Sequence, residues 1–422
     1  MQNNPIETNG YFPNNPFLFR FTCLFIILFI IVFNNGTFIP FNIYPALTWP
    51  ILDTAVNWIA DVIFNAEHPV RLQRNGSGDS SFQWYSLLLV LITAIIGSII
   101  WTIITRSKKN YGILYYWLTV CIRYYIGIML IYYGMAKFEQ SQFQFPDLLD
   151  QVTPLSQMTP MGLAWNFFGA SKGYNIFMGI AEVCGILLLF RRTATLGALI
   201  TLAISLNIMA INYCYNVPVK MVSTALVLFS LYLLAPNIQR IFQFLVLNKS
   251  SSLLAFPTPP VKSIIAKRIL IGLKYLLILI VLGYYIVSYI NVSKLMDQLN
   301  NKSSELYGVY YIPSSEVANR SEMGIPSHWE KLIIYQNNAL ITQNAEMKNT
   351  YYQIIIDEKK KELKIISHAG EKGIHASYNI GDKGNITLTD LKSDKPIKLI
   401  LNKIDMDDIP LKTRRFNWII GD

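Results

Sequence analysis

The chain has 422 residues and a formal net charge of +10, with 52% hydrophobic and only 15% charged residues. An average soluble domain carries about 25% charge; the shortfall here lies in long uncharged apolar runs within the first 290 residues, which excludes a wholly soluble protein. The basic residues sit in short clusters between those runs, with no basic stripe interleaved with aromatics, so the charge points to the lipid bilayer and argues against nucleic acid as a partner.

Residues 1–16 read as a cytoplasmic N-terminus. Apolar runs long enough for a hydrocarbon core of about 30 Å predict about seven transmembrane helices. They fall near 17–33, 82–105, 112–134, 174–190, 194–213, 217–235 and 264–290. Asn34, Asn35, Gly36 and Thr37 make a poor cleavage site, so the first span reads as an uncleaved signal anchor. Within the segment 17–110, Asp53, Asn57 and Asp61 recur at i, i+4 and i+8, with Val56, Trp58, Ile59, Val62 and Ile63 on the remaining face. This predicts an amphipathic helix, either in the outer interface or as a lid on the bundle. Residues 75–79 read as a flexible turn. Residues 111–240 form a four-helix membrane core, and 241–263, rich in Ser and Pro, a cytoplasmic linker. The last span occupies 264–290, and 291–422 is an extracytoplasmic β-rich domain.

Loop charge predicts the direction. Arg106, Lys108 and Lys109 follow the second span, Arg191 and Arg192 the fourth, and Arg240, Lys249, Lys262, Lys267 and Arg268 separate the sixth from the seventh. The positive-inside rule places these loops in the cytoplasm of a bacterial inner membrane, and the C-terminal domain outside.

Charged groups at mid-membrane need a partner or a task. Arg123 and Glu182 lie near the middles of antiparallel spans. Counted at about 1.5 Å per residue, they share a depth and are expected to pair. Such a pair either handles protons and anchors a ligand, or only sets helix register. Lys137, Asn207, Asn212 and Lys220 fall nearer the outer face, with Tyr132, Tyr133 and Tyr213. They either line a pocket for an anionic or quinone-like head group, or are snorkelling lysines and an aromatic belt. The candidate ligand-binding residues are therefore Arg123, Lys137, Glu182, Asn212 and Lys220. The histidines His68, His328, His368 and His375 all lie outside the spans, which excludes a haem held between two intramembrane histidines. Cys23, Cys121, Cys184 and Cys214 lie in apolar segments without metal-ligand spacing and read as small buried side chains.

Several short motifs converge between residues 118 and 235. Arg123 and Gly127 are followed by Tyr133, Gly134, Lys137 and Phe138 in one helix. Gly179, Glu182 and Gly185 precede Arg191 and Arg192 in the next, with Thr195 and Gly197 after them, and Val217 to Lys220 opens the last. This stretch resembles the DoxX family of small four-helix membrane proteins. That family is named after a membrane subunit linked to thiosulfate:quinone oxidoreduction. The resemblance implies a four-helix bundle with a quinone or redox association. The present chain adds two spans before the stretch, one after it, and a large C-terminal domain.

From Lys331 onward, short apolar strands alternate with turn signals: 331–335, 339–342, 351–356, 363–367, 375–380, 386–389, 397–401 and 415–420. Even spacing predicts an antiparallel meander closed as a small barrel or packed as a sandwich, with Trp329 and Trp418 as core anchors. The expected fold class is thus an α-helical membrane bundle plus an antiparallel all-β domain. No nucleophile, base and acid stand together as a complete catalytic set. The expected function is a redox- or quinone-associated envelope component; the alternative is a membrane scaffold presenting the β-domain to an envelope protein.

Overall fold

The computed structural model describes residues 15–34, 44–66, 78–105, 111–258, 261, 263–300, 304–335, 339–366, 373–392, 396–407 and 409–413. The helices begin with α1 (Pro16–Val32), α2 (Tyr44–Val62), α3 (Ser81–Ile104) and α4 (Gly112–Phe138). Two short helices follow, α5 (Leu148–Val152) and α6 (Pro160–Gly169). Then come α7 (Lys172–Val183), prolonged by a 3-10 stretch from Cys184 to Leu189, α8 (Ala194–Cys214), α9 (Lys220–Leu234), α10 (Ile238–Leu245) and α11 (Ile264–Asn300). The chain divides into two compact units, Met1–Gln142 with Lys172–Tyr289, and Phe143–Ser171 with Ile290–Asp422.

The first unit is the membrane bundle. Six helical segments are long and apolar enough to cross a bilayer, and α1 is apolar over 17 residues. The chain is a multi-pass membrane protein. Helix α1 starts where Asn15 accepts from the amides of Phe17 and Leu18 and Pro16 presets the first turn. One turn on, buried Arg20 donates to the Thr102 hydroxyl at 2.8 Å, the Thr105 carbonyl at 3.2 Å and the Tyr111 hydroxyl. It joins the start of α1 to the end of α3 and the start of α4, the placement that alternating crossings require. Helix α4 is the central post. Its Ile122, Tyr125, Ile126 and Met129 pack with Phe29 of α1 and Phe229 of α9. The Tyr125 hydroxyl donates to the Phe33 carbonyl at 2.7 Å, satisfying a backbone acceptor at the end of α1.

Three expectations for this unit need adjustment. The wide apolar arc of α2 is split: Val56 and Ile59 are buried, while Trp58, Val62 and Ile63 are exposed. Residues 250–258 are pinned, because Asn237 accepts from the Leu254 amide at 2.7 Å and donates to its carbonyl at 3.0 Å, and Phe256 is buried in the bundle core. Of the cysteines, Cys23 is buried and Cys184 partly so, but Cys121 and Cys214 are exposed on the faces of α4 and α8.

The second unit is a closed antiparallel barrel of β1 (Gly308–Tyr311), β2 (Lys331–Ile334), β3 (Ala339–Gln343), β4 (Asn349–Asp357), β5 (Glu362–Ile366), β6 (Ile374–Ile380), β7 (Ile386–Asp390) and β8 (Lys398–Ile404). Each strand pairs with its sequence neighbours. β1 closes on β8 with Val309 opposite Ile404 and Tyr311 opposite Asn402, so the sheet has no open edge. Alternate side chains point inward. Tyr310, Leu340, Tyr352, Ile354 and Leu399 fill the interior together with Trp329, whose ring lies 4.9 Å from that of Tyr352. At the chain's entry, Glu305 accepts from Lys361 at 2.6 Å and from the Tyr378 hydroxyl. The Lys361 and Tyr378 contacts hold the Glu305 carboxyl below its ordinary range.

Seven of the predicted strands correspond to β2–β8. The predicted strand at 415–420, with Trp418, lies outside the described residues, as does His368. The strand the pattern missed is β1, only four residues long. A second difference concerns the segment between α4 and α7, which belongs to the barrel unit and not to the four-helix core. Leu148, Leu149 and Val152 of this segment cover the outward side chains Val309, Ile333 and Ile341. The Tyr335 hydroxyl donates to Asp147 at 3.1 Å and accepts from the Leu149 amide at 3.2 Å.

Candidate functional site

The site grows from a seam of glycines. A Cβ added to Gly134 would lie 2.8 Å from the Gly179 carbonyl oxygen, and one added to Gly127 would lie 2.9 Å from that of Gly185. Backbones of α4 and α7 thus touch, running antiparallel, as small residues permit in membrane bundles. On α7, Asn175, Gly179 and Glu182 are the buried positions, spaced along one helical face.

This close approach joins Lys137 to Glu182. The Lys137 Nζ lies 2.7 Å from Glu182 Oε2, and both side chains are only 5% exposed. Lys137 also donates to Gln142 Oε1 at 2.9 Å. The expected Arg123–Glu182 pair does not form. The 3-10 stretch after α7 ends with carbonyls that the helix cannot satisfy. Thr193 takes that of Leu187 at 2.7 Å, and Arg123 Nε takes that of Leu188 at 2.8 Å. Arg123 therefore caps the end of the helix that carries Glu182, and Lys137 neutralises the carboxylate.

The remaining candidates lie at the α8–α9 turn. Asn212 donates to the Val219 carbonyl at 3.4 Å. Lys220 donates to Asn216 Oδ1 at 3.0 Å and to the Val217 carbonyl at 3.2 Å. Asp79, from the stretch that reads as a flexible turn, accepts from the amides of Lys220 and Met221 at 2.7 and 3.1 Å. It is an N-terminal cap for α9 supplied from the start of α3, with Lys220 Nζ 3.8 Å from the same carboxylate. Asn207 faces away from the bundle, exposed on α8. Tyr213 bonds Thr224 at 3.0 Å, and Tyr132 packs on Tyr285 of α11 with ring centroids 5.5 Å apart.

The five candidate residues thus fall in three places: Lys137 with Glu182, Arg123 below Leu188, and Asn212 with Lys220. Chemically, the first is a buried acid–base couple, able to donate from an ammonium and accept at a carboxylate. The roles of Gln142 and Asp79 escaped sequence reading. Gln142 sits five residues beyond Lys137, just past the helix end, and a single polar residue there carries no distinguishing signal. Asp79 gave the ordinary pattern of a turn before a helix, and its partner lies 141 positions away.

No protein-family model matches the chain, and no solved structure matches it. A curated relative is the uncharacterised protein YwoB of Bacillus subtilis, 38% identical over 116 residues. Those residues are 26% of this chain and 71% of YwoB. At that identity and coverage, the chain belongs to the same protein family as YwoB.

Proposed function

We propose that the protein is a DoxX-like component of a bacterial inner membrane that associates with a quinone at the Lys137–Glu182 couple. The observation that carries this reading is a buried ion pair in a membrane bundle, 2.7 Å across. A quinone carbonyl accepts a hydrogen bond from an ammonium, and a quinol hydroxyl donates one to a carboxylate, so the couple complements both redox forms. The resemblance of residues 118–235 to the DoxX family supports the same class. In this reading the basic loops lie in the cytoplasm, and the barrel lies outside. The protein itself supplies a binding site within a redox assembly and no complete catalytic set.

The test is quinone content of the full-length protein purified from its membrane. Wild type is expected to carry near-stoichiometric quinone, and Glu182→Gln and Lys137→Met to lose most of it. Wild-type protein that carries none, and whose thermal unfolding is unmoved by a short-chain quinone, rules the reading out.

One feature favours the scaffold alternative. The barrel interior is filled by its own side chains, so any partner of that unit meets its outer surface, where Tyr351, Ile355 and Ile366 are exposed on β4 and β5. A photo-crosslinker at Tyr351 that captures one envelope protein in cells would favour this reading.

A further inference from the structure

Among its described residues, the membrane unit holds a group of cations without a counter-charge. Arg123 is 4% exposed. Its Nε donates to the Leu188 carbonyl, and among the described residues its two terminal nitrogens meet no acceptor. Its guanidinium carbon stands 5.1 Å from the centroid of the Phe256 ring. Arg191 donates from Nη1 to the carbonyl of the same Phe256 at 3.4 Å. Lys274 of α11 places Nζ 5.1 Å from the ring of Phe190, the residue before Arg191. Phe256 thus joins Arg123 to Arg191, and Phe190 joins Lys274 to the residue beside Arg191. Among the described residues none of them has an ion-pair partner. The adjoining loops offer none either, since residues 105–111, 190–193 and 235–263 contain no Asp or Glu.

Gathering three like charges beside a low-dielectric bundle is unfavourable unless an anion joins them. The contacts that do exist, the carbonyls of Leu188 and Phe256 and the faces of Phe256, Phe190 and Tyr275, orient the cations without neutralising them. We infer that Arg123, Arg191 and Lys274 form a binding site for a phosphate-bearing anion where the 3-10 end of α7 turns into α8. Two guanidinium forks and an ammonium match the several oxygens of a tetrahedral phosphate. Either an anionic phospholipid head group or free phosphate supplies that chemistry. The site shares no residue with the Lys137–Glu182 couple and does not depend on the quinone reading.

The test is thermal unfolding of the full-length protein in a neutral detergent. Three additions are compared: phosphatidylglycerol, phosphatidylcholine, and inorganic phosphate against chloride at equal ionic strength. Wild type is expected to rise in Tm with phosphatidylglycerol and not with phosphatidylcholine, which identifies a lipid, or with phosphate alone, which identifies a soluble anion. Arg191→Gln and Lys274→Gln are each expected to lose more than half of the rise. Arg192→Gln removes the same charge from the neighbouring residue and is expected to keep it. Arg123→Gln also uncaps Leu188, so the two other variants carry the test. No rise with either anion, or an equal loss in Arg192→Gln, overturns the proposal.

Discussion

Lys137 and Glu182 illustrate how a buried charge is tolerated in a membrane protein. Each alone would be an uncompensated ion in a low-dielectric seam, and the 2.7 Å contact removes that penalty without making the pair strongly stabilising. Breaking it from one side should cost about 3–5 kcal/mol, because the survivor stays buried and charged. Removing both charges should cost much less. Lys137→Met and Glu182→Gln are therefore each expected to lower unfolding stability in detergent markedly, and the double variant to recover most of the loss. If the double variant is as unstable as the sum of the singles, the two residues do not act as a pair. Arg123 shows the complementary case. It was expected beside Glu182 on depth alone, yet a local helix distortion offers it the Leu188 carbonyl. Helix depth is legible from residue counting; the switch to 3-10 geometry is not, because the single Gly185 in Cys184–Leu189 is no more of a helix breaker than Gly179, inside α7.

Among the elements, the segment between α4 and α7 departs most from its reading. As sequence it is a loop between two spans; in the structure α5 lies on the barrel wall. Leu148 is 2% exposed against Val309, Ile333 and Ile341, while Leu155, seven residues on, is 67% exposed. Leu148→Ala should destabilise the barrel unit by about 2–5 kcal/mol, as buried leucines do, and Leu155→Ala should change little. Thermal unfolding or limited proteolysis of the full-length protein separates the two. Equal, small effects would mean that the segment does not support the barrel. The strands themselves were readable: period-two alternation runs through β4 to β8, and β2 and β3, buried on both faces where Ile333 and Ile341 are covered, read as short apolar runs bounded by turn signals. β1 was not, since residues 312–330 set it apart from the evenly spaced hairpins, and its pairing with β8 depends on barrel closure.

For the whole molecule, packing and crossing number agree. Four segments long and apolar enough to cross a bilayer, α7 with its 3-10 extension, α8, α9 with α10, and α11, lie between residues 143–171 and the barrel. An even number returns the chain to its starting side, as their shared unit requires. With basic loops cytoplasmic, single cysteines at Gln157→Cys and Lys348→Cys in a cysteine-free background are expected to react with an impermeant maleimide on intact cells. Arg192→Cys is expected to react only after lysis. Labelling of the first two on opposite sides would break the crossing count; labelling of Arg192→Cys alone on intact cells would invert the orientation.

The amino-acid sequence by itself determined the two environments, the approximate span positions and the antiparallel β meander. These follow from hydrophobic runs of bilayer length and from period-two patterning, both properties of neighbouring residues. The tertiary structure decided which carboxylate meets which cation, which stretch seals the barrel wall, and how the barrel closes. Those outcomes depend on contacts between positions far apart in the chain. Asp79 caps α9 across 141 residues, and the α4–α7 glycine seam brings Lys137 onto Glu182 across 45. Local pattern carries no record of distance in space, so these pairings became visible only once the helices were packed.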